Sequence, residues 1–160
     1  MKRQGGMVLL IALVLSLLLG LLAAAALREA LLQTRMAGLL LASSQALEQA
    51  EAVLLEGAAR LAVAPPSECQ RCLPPVDAHE VTAAGGDWQA AAQGWFSLQN
   101  LGQSDRAAHL PEGTQATLYR VTAVSQQTRA RHVLEAVYAQ PAGEAQTLQR
   151  ILWRQRVQEP

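Results

Sequence analysis

The sequence predicts an α+β fold: one long N-terminal helix, half membrane-like and half amphipathic, packed on a C-terminal antiparallel meander sheet. Three observations carry this. The stretch Met7–Leu27 holds no charged residue, and only Ser16 and Gly20 break its run of Leu, Val, Ile and Ala. No proline occurs before Pro65, and apolar residues recur at helical spacing well past Leu27. After residue 115, three runs rich in β-branched and aromatic residues are separated by turn-like segments. The 160 residues suffice for one ordinary domain plus one extra element.

Residues 1–6 (MKRQGG) are polar and basic, and residues 7–27 read as a transmembrane helix. At 1.5 Å per residue that segment covers about 30 Å, the thickness of a bilayer's hydrocarbon core. Lys2 and Arg3 precede it, while Arg28 and Glu29 nearly cancel after it. The positive-inside bias therefore places the N-terminus in the cytoplasm and the rest across the membrane. Three readings of this end stay open. One is a plain signal anchor. Another is a secretory signal cut within Ala23–Ala26, although the apolar run exceeds the usual ~7–15 residues. The third is a prepilin-type leader over 1–6, cut between Gly6 and Met7, which frees an apolar helix from its polar head.

Residues 28–63 continue the helix in amphipathic form. Met36, Leu40, Ser43, Leu47, Ala50, Leu54 and Leu61 form one stripe. Gln45, Glu48, Gln49, Glu51, Glu56 and Arg60 lie off it, and Glu56 and Arg60 are spaced for an i,i+4 pair. Ala64-Pro65-Pro66 ends the helix, because proline lacks the amide donor and its ring clashes with the preceding turn. Residues 64–115 read as a long loop anchored by Trp88, Trp95, Phe96 and Leu101, with one short helix over WQAAAQ capped by Asp87. Residues 116–160 hold the sheet: strands at 116–125, 132–139 and 147–157. Tyr119, Val121 and Ala123 share one strand face, Val133 and Val137 a second, and Ile151, Trp153 and Val157 a third. These faces are the expected partners of the Met36-to-Leu61 stripe. The long loop is expected to cover part of the other side.

Candidate chemistry is sparse. Cys69-Gln70-Arg71-Cys72 is the one motif that could be catalytic, as a thiol–disulfide centre. It sits between two proline pairs, outside any βαβ pattern, so a structural disulfide is the leading reading. Zinc would need two further ligands, and only His79 is near. His79, His109 and His132 show no ligand spacing. No nucleophile elbow, HExxH helix or phosphate loop occurs. Arg150, Arg154 and Arg156 are spaced to line one face of the last strand, either as an anion-binding stripe or as charge guarding an open sheet edge. The formal net charge is zero, which argues against a nucleic-acid partner. The expectation is a protein without enzymatic activity or cofactor.

The segments GGMVLLIALVLSLLLGLL, Arg35-Met36-Ala37-Gly38 and ALEQAEA (Ala46–Ala52) resemble type IV pilus minor pilins of the PilX type. The likeness covers about the first 60 residues. It implies a pilin-like fold and cleavage by a prepilin peptidase between Gly6 and Met7, with methylation of the new amine. It further implies a role in pilus assembly and twitching motility. The implied partners are other minor pilins, a tip adhesin and the inner-membrane assembly platform. The protein would pass from inner membrane, with its C-terminal domain periplasmic, to the extracellular pilus. One departure stands out: pilins usually carry glutamate at the fifth residue of the processed chain, and here that residue is Ile11. A type II secretion pseudopilin, a membrane-tethered periplasmic thiol oxidoreductase and a released binding module remain the alternatives.

Overall fold

The computed structural model describes residues 5–70, 72–143 and 147–157. One helix, α1 (Gly5–Val63), is followed by five strands: β1 (Trp88–Ala91), β2 (Gly94–Ser104), β3 (Ala116–Ser125), β4 (Val133–Pro141) and β5 (Gln149–Arg156). The strands form one antiparallel sheet in the order β1-β2-β3-β4-β5. The chain divides into two compact units, Met1–Leu41 and Ala42–Pro160.

The first unit is helix alone. From Gly6 to Leu41 every described residue is exposed, and the segment is long and apolar enough to cross a membrane. Residues 1–4 of the expected leader lie outside the described residues, while Gly5 and Gly6 belong to the first turn of α1. Met36 and Leu40, expected on the packed stripe, are exposed. They belong with Leu39 and Leu41 to the part of α1 that is apolar all round.

In the second unit, α1 buries Ala46, Ala50, Val53, Leu54 and Leu61. Ala50, Val53, Leu54 and Leu61 pack against Phe96, Tyr119, Val121, Ala123, Leu134, Ala136 and Tyr138. Each fully buried aliphatic side chain there contributes about 1.5–3 kcal/mol. Gly57 marks the closest approach: a Cβ on it would lie 2.7 Å from Val121 Cγ1 and 3.3 Å from Phe96 Cδ2. The helix ends as the prolines require, with Ala64 N donating to Arg60 O at 2.9 Å in the last turn.

Strand β3 has the expected bounds, but several other expectations need correction. Residues 64–115 are not one loop, since they contain the β1–β2 hairpin, and the helix expected after Asp87 is strand β1. Ala and Gln favour a helix in isolation, yet tertiary pairing overrides that preference: Trp88 opposes Ser97, and Trp88 itself is buried. Gly94 permits the hairpin, because any Cβ there would lie 1.9 Å from Val124 O. The face of β4 turned to the helix is Leu134, Ala136 and Tyr138, whereas Val133 packs on the reverse side with Val124, Trp88, Ala78 and Val81. On β5, Ile151 packs with Ala107, Ala116 and Ala139, but Trp153 and Val157 are exposed. An irregularity between Val137 and Tyr138 pairs Tyr138 with Arg150 and Val137 with Leu152. Arg150 is thereby turned to the opposite face from Arg154 and Arg156. Glu56 does not pair with Arg60; its carboxylate accepts the Ala92 N–H at 3.2 Å, at the β1–β2 turn.

Candidate functional site

The second unit concentrates its polar chemistry on the sheet face away from the helix, beneath residues 64–87. Cross-strand register aligns Ser97, Thr122, Glu135 and Arg154 in one row over four strands. Ser97, Thr122 and Glu135 are almost fully buried. Glu135 Oε1 lies 2.7 Å from Arg154 Nη2 and 3.5 Å from Arg120 Nε. Such a carboxylate costs several kcal/mol to desolvate, so its arginines are what make its position tolerable. Burial pulls the Arg120 guanidinium below its usual range, against the raising effect of Glu135, while nearby Arg154 and Arg156 lower it further.

Arginines and amides then tie residues 64–87 to the sheet. Arg120 Nη1 donates to Cys72 O at 2.8 Å and to Gln99 Oε1 at 3.0 Å. Gln99 donates to Leu73 O, and Asn100 Nδ2 to Pro66 O. Arg156 Nη1 donates to Pro75 O at 2.7 Å. Arg131 Nη1 donates to the carbonyls of His79 and Val81, and its guanidinium stands 5.7 Å from the Trp95 ring centroid. Trp88 Nε1 donates to Asp77 Oδ2 at 3.1 Å. This segment is a strap held by side chains donating to its backbone carbonyls, which explains how a proline-rich stretch stays ordered without forming a ladder.

Cys69 and Cys72 are joined as a disulfide with Cα atoms 5.5 Å apart. Cys69 N donates to Asn100 O at 3.0 Å, Cys69 Sγ lies 2.8 Å from the same oxygen, and Glu68 bridges Asn100. The disulfide thus sits against the middle of β2. Among the described residues no helix begins at either cysteine, so neither thiol would gain the stabilisation a helix N-terminus gives a thiolate.

The histidines are scattered. His79 belongs to the strap, and its pKa is lowered, first by burial and then by the charges of Arg156 and Arg131. His132 bridges Ser43 of α1, at 3.0 Å, and Gln155 of β5, at 2.7 Å. His109 is exposed in a turn with φ of 64°. Among the described residues no three of His, Cys, Asp and Glu come together to hold a metal ion.

Gly6 and Met7 lie far along the chain from these groups, at the start of α1; Met7 is exposed, and a Cβ on Gly6 would meet nothing. Sequence reasoning finds the two cysteines, Arg154 and Arg156 but misses Arg120, Arg131 and Glu135. A lone glutamate between apolar residues (VLEAVY) reads as the solvent side of a strand. Only the register, which places Arg154 opposite and Arg120 near, identifies it as buried.

Comparison with protein-family models, with curated proteins and with solved structures returned no match.

Proposed function

We propose that this protein is a minor pilin-like subunit that helps to initiate a type IV pilus and stays at or near its tip. The observation that carries the reading is that one helix, Gly5–Val63, supplies both an apolar segment of membrane length and one wall of an α+β domain's core. A helix used twice in this way suits a subunit that is stored in a bilayer and later packs beside like helices. The polar leader fits cleavage between Gly6 and Met7. The tandem glycines Gly5 and Gly6 favour it too, since glycine weakens a helix by roughly 0.5–1 kcal/mol and the first turn opens easily for a peptidase. The membrane anchor would then be single-pass, with the second unit periplasmic and, after assembly, extracellular.

Ile11 favours the tip over the shaft. In a helical bundle a charged N-terminal amine is costly unless an acidic group pairs with it. Ile11 offers none where pilins usually carry glutamate. A subunit with nothing above it has least need of that pairing.

Mass spectrometry of the mature N-terminus tests the processing: a chain starting at methylated Met7 is expected. A start near Ala26 or Leu27 would point to a secreted module, and an intact Met1 to a plain anchor. Immunogold labelling should mark filament tips, and deletion should leave few surface pili. Label along the whole shaft, or unchanged piliation in the deletion strain, would refute the reading. Insulin reduction by the purified protein, lost in a Cys69→Ser, Cys72→Ser double variant, would favour the oxidoreductase instead.

A further inference from the structure

The two edges of the sheet are treated differently. On one side β1 is short, pairing with β2 only from Gly94 to Ser97. Beyond it, the disulfide segment covers β2, with Cys69 N on Asn100 O and Glu68 bridging Asn100. That edge is closed, as sheet edges in soluble proteins usually are. On the other side β5 is the terminal strand, and among the described residues no backbone hydrogen bond is made on its outer edge. Its eight residues present about 26 Å of ladder. Leu152 and Trp153 are each 44% exposed, and Val157 is 80% exposed.

The arginines expected to guard this edge are engaged elsewhere. Arg154 is drawn to Glu135, Arg156 to the Pro75 carbonyl, and Arg150 to Tyr138. They lend positive charge to the strand without blocking its ladder.

We propose that β5 is a docking edge that accepts an extended segment of a partner protein as a sixth strand. The segment has an acidic–apolar–acidic pattern. Its chemistry follows from the register. Arg154 and Arg156 lie on one face, opposite Glu135 and Val133 respectively, while Trp153 lies on the other, opposite Ala136. An incoming strand therefore meets two guanidinium groups two residues apart, each with N–H donors beyond the one given to Glu135 or to the Pro75 carbonyl, which two carboxylates at the same spacing would accept. The residue between them falls on the opposite face, across from Gln155 and diagonal to Trp153, within reach of its large ring. Main-chain bonds supply affinity and the alternating side chains supply selectivity. A second copy of this chain is a poor occupant. Antiparallel self-pairing centred on Arg154 sets that residue against itself, and centring on Gln155 sets Arg154 against Arg156 of the second copy, on the same face. Like charges directly opposite destabilise a pair. This inference stands apart from the pilus reading, since it uses only the second unit.

The test uses the full chain in detergent micelles and fluorescein-labelled peptides TEVEVT and TKVKVT, followed by anisotropy. A third peptide has the TEVEVT sequence with alternate amides N-methylated, which keeps its charge but cannot complete a ladder. The glutamate peptide should bind at least tenfold more tightly than either of the others. Trp153→Lys should weaken it at least tenfold at an unchanged melting midpoint. Leu152→Lys, at another exposed position, gives a second reading if the first variant is unstable. Equal binding of the three peptides, no binding of TEVEVT, or indifference to both substitutions would overturn the proposal. So would sedimentation showing a dimer that Trp153→Lys dissociates, because the edge would then belong to a second copy.

Discussion

Replacing Glu135 by glutamine removes a charge without changing the side chain's volume, and its cost can be worked out partner by partner. The Arg154 side chain is 53% exposed, so its guanidinium returns to water when the carboxylate is lost, and that half of the network is worth at most about 1 kcal/mol. Arg120 cannot do the same, since its side chain is only 14% exposed. Breaking a buried pair typically costs about 3–5 kcal/mol. Here the figure is reduced because Arg120 keeps Cys72 O and Gln99 Oε1 as acceptors and because the glutamine oxygen still accepts a hydrogen bond. We expect Glu135→Gln to cost about 2–4 kcal/mol, and Arg154→Gln at least as much, because it strips the buried carboxylate of its closest partner. For a unit of this size the first corresponds to a fall in melting midpoint of roughly 10 °C. Thermal unfolding in micelles, followed by tryptophan fluorescence, reads both. Trp88 and Trp95 report the reverse face directly, as they pack against it. If Glu135→Gln and Arg154→Gln each cost under about 1 kcal/mol, the buried network would not be what holds strap and sheet together.

Three further outcomes follow from single features. Gly57→Val should destabilise the second unit by about 1–3 kcal/mol in the same melt, because its Cβ would meet Val121 and Phe96 at the tightest helix–sheet contact. The Cys69→Ser, Cys72→Ser double variant should lose about 2 kcal/mol, the chain-entropy value for so short a ring, and limited proteolysis should then nick residues 64–87 first. His79 is held below its ordinary pKa of 6.5 by burial, Arg156 and Arg131, so below pH 6.5 the unfolded chain binds more protons than the folded one. Its neutral form is accommodated fully above pH 6.5, and stability falls as the pH drops below that value; urea midpoints should therefore fall less between pH 7.5 and 5.5 in His79→Gln than in the parent.

The helix and the three last strands were legible because each has a strong local signal. An uncharged run followed by a three-and-four stripe cannot be read as strand, and Ala116–Ser125 alternates β-branched and aromatic residues between turn segments. The β1–β2 hairpin was hidden for the opposite reason: WQAAAQ has helix-forming residues, and only pairing with β2 and burial of Trp88 make it a strand. Strand faces were harder still. Nearly every residue from Val121 to Ser125 and from Val133 to Tyr138 is buried, so the period-two pattern that orients a half-exposed strand is absent. A one-residue irregularity at Val137/Tyr138 then reverses Arg150 relative to Arg154, which no spacing in the sequence announces.

The same double burial explains why the strap exists. A four-residue polar row across the sheet, with Glu135 at its centre, cannot be left beneath an apolar cover without unpaired charge. Nor can it be left to water while Val124, Val133 and Trp88 beside it need covering. Residues 64–87 meet both demands. Ala78 and Val81 close the apolar patch, and the carbonyls of Cys72, Leu73, Pro75, His79 and Val81 receive donors from Arg120, Gln99, Arg156 and Arg131. Prolines suit such a segment because they contribute a carbonyl without a competing donor and restrict the unfolded chain. The disulfide and the proline pairs therefore serve one end, holding the strap's acceptors over the sheet's buried cations. Sheet and strap should accordingly unfold in a single transition, with the loss of either exposing a charge that the other had satisfied.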